Sequence, residues 1–416
     1  MISVEQHLER ILATVSRVSP SLMGLLDAQG AVLAEDVLAL VDLPGFDNSA
    51  MDGYAVRVGD VAAAGPTTPV DLDVVGDIAA GDLRHLALPP GRTYRIMTGA
   101  PIPDGADGIV PVEDTDGNAD VVTITAPTEA GRHIRRRGED VRAGEIVVRS
   151  GTRLGPRQIA VLAAAGHGEV LVVAPPRVVV ISTGDELVEP GRVPGHGQVV
   201  DSNSVMLVAA IRELGAVPYR VSGVKDDVDG LLDTLRHQLL RADAIITTGG
   251  VSMGAFDVVK EGLSRLGTVA FDQVAMQPGK PQGFGLIGKQ GVPVFTLPGN
   301  PVSALVSFEA FVAPALRVLA GRPAREENTL RAVVVEGWTS PGGKVQYARV
   351  HLARTPSRHT IRLAGAQGSH VLGGLSDANG LAVVPADVTN VAPGDVLTCI
   401  QLGPVDAVRD DLQDTP

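Results

Sequence analysis

Three short segments of the 416-residue chain carry residue types suited to holding a phosphate or another oxyanion. They are Ser182-Thr183-Gly184-Asp185-Glu186, Thr248-Gly249-Gly250-Val251-Ser252-Met253-Gly254 and Pro298-Gly299-Asn300-Pro301-Val302-Ser303. Glycine lets backbone approach a ligand closely, and Ser and Thr hydroxyls bond anionic oxygens. Carboxylates such as Asp185, Glu186 and Asp257 can hold a Mg²⁺ that bridges phosphate oxygens. Each segment follows a short apolar run, so each is expected beyond the carboxyl end of a buried strand, where open α/β sheets bind ligands. Taken singly, these are also the residues of turns and helix caps, and Asp201 and Asn203 read the same way as the opening of a helix. Their convergence on one sheet edge points to a phosphorylated ligand with magnesium.

Further polar clusters surround these loops. Lys225-Asp226-Asp227 follows a strand of the same domain and serves either a helix start or a metal or ligand. Lys280, between prolines in Gln277-Pro278-Gly279-Lys280-Pro281, suits an oxyanion or stands solvated. Earlier in the chain, Asp52 sits in the turn Asn48-Ser49-Ala50-Met51-Asp52-Gly53-Tyr54, and Thr98 ends a strand in Arg95-Ile96-Met97-Thr98-Gly99. Asp140 closes Arg135-Arg136-Arg137-Gly138-Glu139-Asp140, whose arginines either bind an anion or are balanced by neighbouring acids.

The elements that must position these residues change texture along the chain. Residues 4–13 and 22–28 read as short helices, and 31–41 as strand or helix. Residues 42–140 are short β-type runs broken by Gly, Pro and Asp. From 177 strands and helices alternate, with strands at 177–181, 217–221, 244–247 and 292–297 and helices at 205–214, 228–240, 258–266 and 303–320. This alternation favours a doubly wound parallel sheet. Strands return after residue 323. The expected fold is multidomain α/β, with a discontinuous helical linker domain (1–41 and 141–173), an inserted β-rich domain (42–140), a doubly wound domain (174–323), a C-terminal β-barrel-like domain (324–403) and an unfolded tail (404–416).

Composition narrows the function. A net charge of −13 argues against a nucleic-acid surface, and 3% aromatic residues argue against base-stacking platforms. The single cysteine, Cys399, excludes an internal disulfide and a multi-thiolate zinc site. No signal peptide is visible, and the longest apolar segment, 304–320, is interrupted by Glu309, Pro314 and Arg317. A cytoplasmic protein without a membrane partner is expected. Walker and paired-histidine metal motifs are absent from the sequence.

The segments NSAMDGYA (48–55), RIMTGAPIPDGAD (95–107), RRRGED (135–140), STGDEL (182–187), TTGGVSMG (247–254), PGKP (278–281) and LPGNPVSA (297–304) together resemble the molybdopterin molybdenumtransferase (MoeA) family. The C-terminal part of gephyrin also belongs to it. The resemblance implies molybdenum cofactor biosynthesis: adenylylated molybdopterin and molybdate as substrates, and Mg²⁺-dependent insertion of the metal with release of AMP. By motif position it implies functional roles for Asp52, Thr98, Asp140, Glu186, Asp226 and Asp257, with Glu186, Asp226 and Asp257 as metal ligands. Thr183, Gly184, Asp185, Gly249, Gly250, Ser252, Gly254, Lys280, Pro298, Gly299, Asn300 and Ser303 are implied to bind the cofactor. A homodimer is implied, whose cleft joins the inserted domain of one copy to the doubly wound domain of the other. A molybdopterin adenylyltransferase would act upstream, with molybdoenzymes or nucleotide-transfer partners downstream. Gln273 and Gln277 stand where several members carry lysines, and Ser369 and Ser376 are alternative candidates for one family serine. An adenylyltransferase resembles the doubly wound domain alone; a scaffold that binds the cofactor without turnover is the third reading.

Overall fold

The computed structural model describes residues 1–224, 227–249, 258–265, 268–325 and 328–407. Two compact units divide the chain. One comprises Met1–Ser21, Gly30–Val32 and Val173–Pro416, the other Leu22–Gln29 and Leu33–Val172.

The first unit holds the doubly wound core. Val178 and Val180 face one apolar cluster with Leu207, Ile211 and Phe311, while Val179 and Ile181 face another with Leu231, Leu235 and Leu263. A strand covered on both faces reads as an unbroken apolar run, as Val178–Ile181 does within the strand Arg177–Thr183. The sheet has six strands, in the order Val217–Val224, Arg177–Thr183, Ala244–Thr248, Val292–Leu297, Pro281–Ile287 and Val269–Gln273. The first four are parallel; the last two run antiparallel to their neighbours. Glycine-rich texture around Gly283 and Gly285 hid the antiparallel edge from a periodicity reading. A Cβ on Gly285 would lie 2.2 Å from the Thr268 carbonyl oxygen, so the close approach of these strands requires the bare backbone.

The expected single helix over 303–320 is instead Pro301–Ser307, a π-helical turn Phe308–Val312 and Ala313–Leu319. The stretch Pro301–Leu319 is long and apolar enough to cross a membrane, yet 83% of its apolar window is buried within the protein. Its apolar surface is spent on the core, which also takes Val4, Ile11 and Val15 from the N-terminal helix Val4–Thr14 and its C-cap.

Beyond residue 328, five strands close into a barrel: Val345–Arg354 pairs with His359–Leu363 and with Gly380–Val384, and Thr329–Val334 and Val396–Gln401 complete the ring. Trp338, Val350, Leu352, Ile361 and Cys399 fill it. Asp406–Ala407 pairs with Val345–Arg354, so order extends past the expected start of the tail; residues 408–416 lie outside the described residues.

The second unit contains a five-stranded sheet in the order Gly108–Pro111, Gly53–Val56, Arg92–Ile96, Val70–Ile78 and Val121–Ile124. The helix expected at 22–28 does not form. Pro20–Gly24 is a strand followed by turns, consistent with Pro20 and Gly24 disfavouring a helix interior.

Candidate functional site

The three loops start level with one another. Ser182 pairs with Thr248, and Thr248 with Leu297, across adjacent parallel strands. Beyond these carboxyl ends lies a cavity of about 830 Å³. Of the residues singled out from sequence, Thr183, Glu186, Gly249, Pro298, Gly299, Asn300 and Ser303 line it. Gly184 and Asp185 lie in the first loop outside the lining; Lys280 is exposed beside Pro281, which does line the cavity. Gly250, Ser252, Gly254, Asp226 and Asp257 fall outside the described residues. Gly249 has φ +90°, the left-handed region that glycine enters without strain. Its N–H donates to the Leu297 carbonyl, 3.2 Å, rather than toward the cavity, so this amide belongs to the sheet and not to an anion nest.

The wall between the loops is a polar network in which Asp201 and Asn203 do more than cap a helix. Asp201 does cap the helix Ser202–Glu213, accepting the Ser204 N–H at 3.0 Å. It also accepts the hydroxyls of Ser182 at 2.6 Å and Ser204 at 2.5 Å, and Arg220 Nη2 at 3.1 Å. Burial, the largest single influence, pushes its carboxyl up, but these hydrogen bonds together outweigh it and hold it below the ordinary range. Arg220 continues the chain to Glu189, 2.7 Å. Asn203 spans two loops, donating to Thr248 Oγ1 at 2.9 Å and to the Gly299 carbonyl at 2.7 Å. The signal was present in Asp201-Ser202-Asn203, since a cap on the helix beside a ligand edge lines that edge; Arg220 gave no local signal.

Among the described residues two carboxylates, Asp201 and Glu186, line the cavity, and their roles differ. Asp201 is committed within the wall, whereas Glu186 is exposed. Among the described residues no cluster of three His, Cys, Asp or Glu side chains could hold a metal by itself. Mg²⁺ needs only one or two carboxylates when phosphate and water supply the rest, so Glu186 fits as one of its ligands.

In the second unit Asp52 and Thr98 meet, although 46 residues separate them. Thr98 donates its N–H to Asp52 Oδ1 at 2.6 Å and its hydroxyl at 2.8 Å. The N–H is the larger cause, the hydroxyl the next, of a carboxyl held below its ordinary value. Gly53 follows because a Cβ there would lie 2.0 Å from the Val110 carbonyl oxygen. Asp140 is exposed, its N–H donating to the Leu43 carbonyl. In the arginine cluster, Arg136 and Arg137 are balanced by acids: Arg136 pairs with Asp47 at 2.6 Å and Arg137 with Asp42 at 2.5 Å. Of the two serines left open, Ser369 accepts Asn300 Nδ2 at 3.0 Å, while Ser376 bonds locally to Gly373 and Asp377.

Fold and site together define a multidomain protein whose doubly wound domain presents a ligand cavity at the carboxyl edge of its parallel strands. Residues 2–166 match the MoeA N-terminal region (domains I and II), 179–318 a probable molybdopterin binding domain, and 331–402 the MoeA C-terminal region (domain IV). Molybdopterin molybdenumtransferase 2 of Mycobacterium tuberculosis is 47% identical over 95% of this chain and 98% of its own. The molybdopterin molybdenumtransferase of Nostoc is 36% identical over 93% and 90% respectively. A solved molybdopterin biosynthesis MoeA protein from Pyrococcus horikosii superposes with a TM-score of 0.81 at 31% identity, covering 97% of this chain and 100% of that one. The chain belongs to the molybdopterin molybdenumtransferase (MoeA) family of molybdenum cofactor biosynthesis.

Proposed function

We propose that this chain inserts molybdenum from molybdate into adenylylated molybdopterin and releases AMP in a Mg²⁺-dependent step. The observation that carries the reading is the meeting of Thr183 and Glu186, Thr248 and Gly249, and the Pro298–Ser303 segment in one cavity, in a chain whose full-length relatives bear the transferase name. Thr183 and Ser303 offer hydroxyls and Asn300 an amide to ligand oxygens. Asn203 and the Asp201 network hold the loops at fixed spacing, which lowers the cost of ordering them when the ligand arrives. Glu186, with Asp226 and Asp257, would hold Mg²⁺, which when bound neutralises phosphate charge and makes the nucleotide a better leaving group. Lys280 would contribute positive charge toward the oxyanion.

The Asp52–Thr98 pair supplies a carboxylate kept ionised, suited to orienting water or a cation as the adenylate bond is cleaved. Asp140 completes this set. The protein acts as a homodimer in which the inserted domain of one copy serves the cleft of the other, and it works in the cytoplasm between the adenylyltransferase and the molybdoenzymes. Incubation with adenylylated molybdopterin, Mg²⁺ and molybdate tests the reading: AMP release that requires molybdate supports it. New adenylylation of molybdopterin from ATP would make the protein an adenylyltransferase instead. Retention of the intact adenylate under all conditions would make it a scaffold.

A further inference from the structure

The barrel contributes to the cavity through one loop, and that loop is held in an unusual way. Leu372 lines the cavity although it belongs to the C-terminal barrel region, and it remains 42% exposed. Nearby, Ser369 accepts Asn300 Nδ2 through its hydroxyl oxygen and the Val302 N–H through its carbonyl, 3.2 Å. The 364–372 loop therefore touches the Pro298–Ser303 segment twice and presents an apolar side chain to the cavity.

Behind the loop stands Arg349, on the strand Val345–Arg354 and only 1% exposed. A buried guanidinium ordinarily pairs with a carboxylate. Here it donates to three carbonyls of the one loop: Nη1 to Val371, Nη2 to Ala366, and Nη2 to Gly368 at 3.3 Å. Gln367 locks the same residue from the other side. Its Oε1 accepts the Arg349 N–H at 2.8 Å, and its Nε2 donates to the carbonyls of Arg349, Ala364 and Gly365 at 3.2, 3.3 and 3.0 Å. A loop without strand partners of its own thus has the carbonyls of Ala364, Gly365, Ala366, Gly368 and Val371 satisfied by two side chains, an arrangement that fixes one conformation.

We propose that loop 364–372 is a wall of the ligand cavity and that Arg349, with Gln367, is the positioning residue that holds it there. The role of the loop in turnover rests on the transferase reading; its anchoring does not. Arg349 touches loop carbonyls rather than the cavity, so its removal should release the wall without touching the reacting groups.

Hydrogen exchange of the full-length protein, read with steady-state kinetics, tests this. Arg349→Met is expected to speed exchange across 364–372 by about tenfold or more, while the barrel strands and the emission of Trp338, the only tryptophan, stay as in the wild type. KM for the adenylylated substrate should rise by about tenfold with kcat little changed, the pattern of lost positioning rather than lost chemistry. Arg349→Lys, which keeps the charge and one donor direction, should recover part of both effects. If Arg349→Met does not fold, Gln367→Ala removes the second lock without leaving a buried charge, and the same changes are expected at smaller size. Wild-type exchange at 364–372 in a folded variant would overturn the anchoring, and a fall in kcat at constant KM would overturn the positioning role. A wild-type protein that releases no AMP would count against the transferase reading, while the exchange result would still decide the anchoring.

Discussion

At the scale of single residues, the carboxylates of Glu186 and Asp52 have been given different work by their surroundings. Glu186 is exposed in the cavity, so Glu186→Gln should leave the fold intact and lower molybdate-dependent AMP release by about 100-fold, the size typical of a removed electrostatic or acid–base group. Asp52 is held ionised by Thr98. Its folded-state pKa is depressed, so the stabilisation it provides is present above the unfolded value and is lost as pH falls through the folded one. Thr98→Val removes the hydroxyl and keeps the N–H, so the Asp52 titration midpoint, followed by carboxyl NMR, should move up part of the way to the ordinary value. An unmoved midpoint would mean that the hydroxyl contributes nothing. Asp52 and Thr98 were both legible in the sequence as polar residues at turns. Their contact was not, because it depends on the antiparallel pairing of Gly53 with Ile96, which no local pattern reveals.

At the scale of elements, the start of the helix Ser202–Glu213 joins folding to function. Asp201 caps that helix, ties it to the strand end at Ser182 and receives Arg220 from the neighbouring strand. Asp201→Ala leaves Arg220 Nη2 and two hydroxyls without that acceptor while Glu189 still holds Nη1, and a loss of about 2 kcal/mol in denaturant unfolding is expected. Reading the segment as a helix cap was correct in local terms and incomplete, since the cap's other acceptor sites are filled from strands far along the chain. The π-helical turn Phe308–Val312 gives a second element-scale case. It carries Glu309, whose carboxyl is pushed up to about 7, first by burial and then by Glu213, against the opposing pull of Arg317. An unfolded glutamate ionises near 4.3, so between that pH and about 7 the unfolded state sheds its proton first and stability falls. Glu309→Gln should therefore raise stability by about 1–2 kcal/mol at pH 8 and change it little at pH 4, as read by unfolding at the two pH values.

At the scale of the whole molecule, the sequence shows where one architecture gives way to another because periodicity changes there: short β runs, then strand and helix in alternation, then strands again. The doubly wound core and the C-terminal barrel followed from that texture. The antiparallel edge of the six-stranded sheet did not, because Gly283 and Gly285 lack the side chains on which a strand pattern depends. Nor did the barrel's share in the cavity, since Leu372 and Ser369 reach the Pro298–Ser303 segment only after the ring has closed. Cys399 offers a probe of that ring. It is buried, and burial pushes its thiol up to about 12, so it should resist labelling by a thiol reagent at pH 8 until the barrel opens. Labelling at the rate of a free thiol in the native protein would place Cys399 outside a closed barrel.

On the proposed function, one cavity couples loss of the nucleotide to uptake of the metal. The most direct test is a single-turnover experiment with adenylylated molybdopterin bound to the protein and Mg²⁺ present, in which molybdate is titrated while AMP release and molybdenum incorporation are followed together. Equimolar AMP and incorporated molybdenum, both absent without molybdate, is the expected result. AMP release at the same rate without molybdate, or molybdenum incorporation while the nucleotide stays attached, would contradict it.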